Sequence, residues 1–189
     1  MPSPLGHALG GLSAGWLIAG APASPRSFDS VRRAHRSTVA RALLFAAIGM
    51  APDLDLLVGL HRMYFHSLGA ALIVMLAAMA LTRSSVSGAS HAHGTTGANS
   101  TIVGLACGAA YASHILLDWL GDDATPPIGL MALWPISADY YQSSLHLFMS
   151  TTRRYRPGFW MQNATAVAYE IGMLLPVTAV IYWLRRDKA

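Results

Sequence analysis

Histidine and aspartate residues lie in or beside the most apolar stretches of this chain, where ionisable side chains are costly and seldom incidental. Imidazole nitrogens and carboxylate oxygens, with no thiolate nearby, form a donor set that suits Zn²⁺, Mn²⁺ or Fe²⁺ in hydrolytic chemistry. They predict a divalent-metal site, with zinc favoured and manganese or iron as alternatives. The predicted ligands are His7, Asp53, His66, His114 and Asp118.

His114 and Asp118 are four residues apart, so in a helix their side chains share one face with Cβ atoms roughly 5–6 Å apart. At this spacing they can bind one ion together, or Asp118 can orient the ring of a ligating His114. A hydrogen bond that only satisfies two buried polar groups explains the pair equally well.

A second group of polar residues interrupts apolar sequence after Pro52. Asp53 and Asp55 follow this helix-breaking proline, where the start of a new helix would favour carboxylates, although a plain helix cap explains them too. Arg62 can hold a phosphate through two hydrogen bonds, or anchor the chain at a membrane interface. The predicted catalytic residues are Asp55 or His61 as general base and Arg62 as the group that neutralises charge developing on phosphorus.

The composition favours a membrane protein. Of the 189 residues, 53% are hydrophobic and only 12% are charged, about half the charged share of a typical soluble domain. The basic residues are almost all arginines in short clusters beside apolar stretches, which suits membrane topology and anionic lipid better than nucleic acid. The rival interpretation is a compact soluble helical core, because buried helices are also apolar all round.

The apolar segments predict an all-α fold: one helical membrane domain over residues 1–189, with about five apolar helices around a one-sided polar site. Residues 84–100 are predicted to form a flexible linker and residues 122–163 a partly interfacial segment. The predicted helices cover approximately residues 5–20, 38–50, 66–82, 101–120 and 165–184.

Threading these helices alternately through a bilayer brings all five predicted ligands to one end of the bundle. If the first helix runs inward, nine of the thirteen Lys and Arg residues become cytoplasmic, although a cluster at Arg153, Arg154 and Arg156 does not. We therefore expect a multi-pass protein of the bacterial inner membrane whose polar site faces the extracytoplasmic side.

Several short motifs, in order, resemble the YdjM family. Its members are described as inner-membrane proteins, some under LexA control, and as candidate metal-dependent hydrolases. The resemblance covers approximately residues 5–137 and implies a helical membrane protein that binds metal. The motifs are Gly6-His7, Pro52-Asp53-Leu54-Asp55, His61-Arg62 with His66-Ser67, Ser113-His114 with Leu117-Asp118, and Leu133-Trp134-Pro135.

The order of the histidines and aspartates is also more distantly similar to that of zinc-dependent phospholipase C and the single-strand nucleases of the same fold. That similarity implies the same five ligands. It departs from those enzymes downstream, where this chain has only His146, with Ser150 four residues on.

The leading hypothesis is a membrane-embedded, metal-dependent hydrolase of a phosphoester in a lipid or lipid-linked substrate. The alternatives are a metal-ion transporter and a non-catalytic membrane assembly protein whose His and Asp residues are structural. The expected partners are the bilayer and a phospholipid or lipid-linked phosphate, with no nucleic acid.

Overall fold

The computed structural model describes residues 1–21, 28–57, 62–87, 95–123, 126–152 and 157–186. Within these ranges the chain forms helices and irregular segments and no strand, which confirms the all-α prediction. The α-helices are α1 (Pro4–Ala19), α2 (Phe28–Met50), α3 (Leu68–Ser87), α4 (Thr95–Leu120) and α5 (Phe159–Arg185). Two 3₁₀ helices, Ala51–Leu57 and Tyr64–His66, lie between α2 and α3.

Four helices are longer than their hydrophobic patterns predict, and α5 is one of them, since it begins at Phe159 and not at residue 165. α2 begins at Phe28, inside an Arg-rich stretch that has no hydrophobic pattern. The helix extends through this stretch because arginine and alanine both have a high helix propensity. α3 ends at Ser87 and α4 begins at Thr95, so helices occupy both ends of the segment predicted as a linker. Residues 88–94 of that segment lie outside the described residues.

The expectation of about five membrane-length apolar helices is wrong. Among the described residues only two helices are long and apolar enough to cross a bilayer: Asn99–Leu120, with mean hydropathy 1.5, and Phe159–Arg185, with 1.7. α1 has 16 residues, which is short for ~30 Å of hydrocarbon at 1.5 Å per residue. Two such helices are weak evidence for a membrane, but only 17% of the α5 span is buried, so its apolar surface faces outward.

α1 and α4 form the centre of the helix packing. α1 contacts α2, α4 and α5, and α4 contacts α1, α2 and α3. α1 and α2 approach at Gly11 and Gly49, where a Cβ on Gly49 would lie only 2.5 Å from the carbonyl oxygen of His7. Glycine is needed there because the two backbones meet directly.

The helix ends define where polar groups gather. His7 lies in the second turn of α1, Asp53 and Asp55 follow α2, His66 precedes α3, and His114 lies near the end of α4. These ends meet at one end of the bundle. Further along the same helices the core is apolar and contains Phe45, Ala106, Cys107 and Ala110.

Candidate metal centre

The last two turns of α4 supply one wall of the site. His114 Nε2 lies 3.2 Å from Asp118 Oδ2, as their spacing in a helix predicts. The other ring nitrogen, His114 Nδ1, lies 2.8 Å from the carbonyl oxygen of Gly49. A carbonyl oxygen only accepts, so Nδ1 carries the proton and Nε2 presents its lone pair to the centre of the site in the neutral ring.

His66 faces His114 across this centre. Its Nε2 is 3.1 Å from His114 Nε2 and 3.4 Å from Asp118 Oδ2. Its Nδ1 lies 3.0 Å from Asp55 Oδ2, and both side chains are fully buried. Asp55 therefore contacts the ring nitrogen that points away from the centre, which is how a carboxylate orients a ligating histidine.

Asp53 adds a fourth donor atom. Its Oδ1 lies 3.8 Å from Nε2 of both His66 and His114, and its side chain is 18% exposed, so the site opens on this side. Ligands about 2.1 Å from a tetrahedral ion are roughly 3.4 Å apart. The separations of 3.1 to 3.8 Å among these donor atoms are close to that value.

His7 closes the site from α1. Its Nε2 lies 3.2 Å from Asp118 Oδ1, and its ring stacks on that of His114 with centroids 3.6 Å apart. The donor atoms form two overlapping groups, His7 with His114 and Asp118, and Asp53 with His66 and His114, each with atoms within 4.8 Å of one another. All five predicted ligands thus lie together, and the geometry accommodates one ion or two; their role as ligands remains a prediction.

The residues fit a divalent cation because several of their carboxylate oxygens are buried without a partner. Asp53 Oδ1 and both oxygens of Asp118 are buried and make no hydrogen bond. Buried carboxylates in proteins are normally hydrogen-bonded, paired with a cation or bound to a metal. A cation held between them would satisfy these oxygens and would lie beside Nε2 of both His66 and His114.

The electrostatics also favour positive charge at this point. Although burial opposes the charged ring, contacts with Asp53 and Asp55 and the charge of Asp118 raise the pKa of His66 to about 9. Burial alone would raise the pKa of Asp53, but its contact with His66 and the nearby rings of His114 and His7 hold it below the ordinary value. The carboxylates of Asp53, Asp55 and Asp118 therefore stabilise positive charge beside His66.

Two of the three predicted catalytic residues, Asp55 and Arg62, lie at the edge of this cluster. Asp55 is behind His66, and its Oδ2 accepts a hydrogen bond of 3.2 Å from the backbone N–H of Arg62. The Arg62 guanidinium forms an ion pair with Asp123 and donates to the carbonyl oxygen of Pro127. His61 lies outside the described residues. The catalytic roles remain predictions.

Sequence reasoning missed several groups that position the cluster. Asp123 is buried and accepts from the backbone N–H of Gly129 at 3.0 Å, yet its sequence context shows only the end of a helix. The Gly49 carbonyl has no sequence signal, because it is a backbone atom. The cluster of Arg153, Arg154 and Arg156 lies outside the described residues.

Two ionisable side chains late in the sequence, Glu170 and His146, lie outside the cluster. Glu170 of α5 is fully buried and accepts hydrogen bonds from the backbone N–H of Ser3, at 2.8 Å, and from the Ser3 hydroxyl. Ser3 caps α1, so Glu170 fixes the start of the helix that carries His7. His146 is half-exposed and contacts Asp122 at 3.4 Å.

Comparison with known protein families gives a match over almost the whole chain. No similar protein is found among curated proteins, and none among solved structures. A family model described as YdjM inner membrane protein matches residues 1–188. This match, together with the two apolar helices, supports a location in the membrane. The chain belongs to the YdjM inner membrane protein family.

Proposed function

We propose that this protein is a membrane-embedded, metal-dependent hydrolase that acts on a phosphoester in a lipid or lipid-linked substrate. The observation that carries the proposal is the convergence of nitrogen and oxygen atoms from His66, His114, Asp118 and Asp53 on one point, at separations of 3.1 to 3.8 Å, with three of the carboxylate oxygens buried and without a hydrogen bond. A divalent cation bound there, zinc by preference, would acidify a water molecule and polarise a phosphoryl oxygen.

The surrounding residues have distinct proposed tasks. Asp55 orients His66 through Nδ1, so we assign it a positioning role in place of the general-base role that the sequence predicts. Asp53 is the most exposed member of the cluster, with 18% of its side chain accessible, so we assign the substrate entrance to its side of the cluster. Arg62 donates its backbone N–H to Asp55, and we assign its guanidinium, which pairs with Asp123, to stabilising the charge that develops on phosphorus.

The one-sided arrangement favours a hydrolase over a transporter. A transport path needs polar groups that continue through the bilayer. Here the next layer of the bundle is the apolar cluster of Phe45, Ala106, Cys107 and Ala110. The same one-sidedness suits a substrate whose polar group lies at the membrane surface.

The test compares purified wild-type protein with His114→Ala, Asp118→Ala and the control Asp139→Ala. Asp139 is an exposed carboxylate whose side chain contacts Ser137, outside the cluster. We expect zinc, measured by elemental analysis, and release of phosphorylated headgroups from phospholipid vesicles to be lost in the first two variants and kept in the control. Metal and hydrolysis retained by both ligand variants would refute the assignment. Zinc flux in proteoliposomes without hydrolysis would show that the protein is a transporter. A wild-type protein that contains no metal would show that the His and Asp residues of the cluster have a structural role.

We further propose a multi-pass topology with the site at the extracytoplasmic face, supported by the distribution of arginines. His146 lies at the same end as the cluster, since it contacts Asp122 just beyond α4. In a Cys107→Ser background, His146→Cys should react with an impermeant maleimide added to intact spheroplasts. Reaction only after lysis would place the site on the cytoplasmic side.

A further inference from the structure

A groove of purely uncharged side chains lies on the surface of the bundle beside α4. Its volume is about 270 Å³. Residues 112, 115, 116 and 119 of α4 form one wall, and this spacing places them on a single helix face. The opposite wall consists of Leu68 at the start of α3 together with Ala132, Leu133 and Tyr141. The rim is open, with Leu68 50% and Leu116 52% exposed.

The groove lies at the same level of the bundle as the metal-binding cluster. Ile115 and Trp119 in its wall directly follow His114 and Asp118, and successive residues of a helix differ by only 1.5 Å in height. The opposite wall begins with Leu68, two residues after His66. The two sites therefore occupy neighbouring faces of α4 at the same height.

We propose that this groove binds one acyl chain of a membrane phospholipid whose phosphate group lies at the metal-binding cluster. This inference rests on the proposed function and specifies its substrate as a phospholipid held by its tail as well as its head. A cation-binding cluster beside an uncharged groove is complementary to an amphiphile with an anionic phosphate and a neutral hydrocarbon chain. A water-soluble phosphoester would leave the groove unused.

The size and position of the groove support this occupant. Pockets that enclose a whole drug-sized ligand begin at about 300 Å³, so this one suits a single chain better than an entire lipid. A stable dimer buries about 800 Å² on each partner, which a groove one helix stripe wide does not offer to a second copy of the chain. The groove opens along α4, an apolar helix of membrane length in an inner-membrane family, so acyl chains are its natural surroundings.

The test uses full-length protein in nanodiscs that contain phosphatidylglycerol with a photoreactive diazirine in one acyl chain. Label is mapped by mass spectrometry on the wall that contains Leu133. Ala112→Trp fills the groove from α4. Leu105→Trp is the matched control, because Leu105 lies on the same face of α4, two turns away, and is 44% exposed. We expect label at Leu133 to fall about tenfold in Ala112→Trp and to stay unchanged in the control, since added bulk excludes a bound chain.

Label at Leu133 that survives in Ala112→Trp, or that is no denser than on the outward face of α5, would overturn the inference, because bulk lipid contacts every exposed apolar face. Disulfide formation between two copies that carry Leu133→Cys in a Cys107→Ser background would overturn it as well, because it would show that a second chain covers the groove. If Ala112→Trp does not elute as a monodisperse species, Ala132→Phe fills the groove from the other wall.

Zinc content, measured on the same samples, separates this inference from the proposed function. A wild type without metal refutes the proposed hydrolase, whereas a metal-loaded wild type without groove labelling refutes only the acyl-chain site.

Discussion

Replacing Asp55 by Asn tests whether this buried carboxylate orients a metal ligand. Asp55 Oδ2 lies 3.0 Å from His66 Nδ1, on the side of the ring away from the cluster. Asparagine keeps the shape and one acceptor oxygen but removes the negative charge. Loss of such an outer contact typically costs 10–100-fold in metal affinity, which corresponds to about 1.4–2.7 kcal/mol. We therefore expect zinc to bind Asp55→Asn with an affinity about 10–100-fold below that of the wild type.

The affinity is measured in detergent by competition with a chromophoric zinc chelator. Asp118→Asn, which alters a predicted ligand, should lose binding altogether, and Asp139→Asn, which alters an exposed carboxylate, should match the wild type. Elution volume and unfolding temperature confirm that each variant is folded. Wild-type affinity in Asp55→Asn would refute the orienting role. A loss as complete as in Asp118→Asn would show that Asp55 is itself a ligand.

Three further predictions concern the parts of the fold that support the cluster. Gly49→Ala should lower the free energy of unfolding by about 1–3 kcal/mol in thermal melts, because its Cβ would lie 2.5 Å from a backbone oxygen, whereas Gly172→Ala, with no atom within 4 Å, should not destabilise. Equal melts for the two variants would contradict the close contact of α1 and α2. Glu170→Ala should cost about 1–3 kcal/mol by leaving the buried groups of Ser3 unpaired, and Glu170→Gln less; identical stability would contradict the anchoring role. Zinc at 100 times its dissociation constant should stabilise the wild type by about 2.7 kcal/mol, reversibly with a chelator, and leave His114→Ala unaffected; stabilisation of that variant would indicate binding elsewhere.

The sequence is sufficient to predict that the five proposed ligands lie close together, because this prediction depends on few assumptions. Helices that alternate in direction bring the start of one and the end of the next to the same side. The positions of His7, Asp53, His66 and His114 near such ends therefore suffice. The spacing of His114 and Asp118 fixes their shared face without any tertiary information.

Other features depend on packing that no pattern in the sequence reveals. The role of Asp55 follows from which nitrogen of His66 it contacts, and that is set by how the two 3₁₀ helices fold against α4. Hydrophobic patterns overestimate the number of membrane-length helices, because a short helix such as α1 is as apolar as a long one. They also place the start of α2 too late, because a helix can contain polar arginines that break the hydrophobic pattern.

The ligands are drawn from four separate stretches of the chain, and this fixes an order of events during synthesis. His7 leaves the ribosome first, and Asp118 follows more than a hundred residues later. If these residues bind metal as proposed, no ion can be enclosed until α4 has been inserted, so metal binding comes after the insertion of the first four helices. A cell short of metal would then accumulate chains whose buried carboxylates lack a counter-charge, and these chains should unfold more readily.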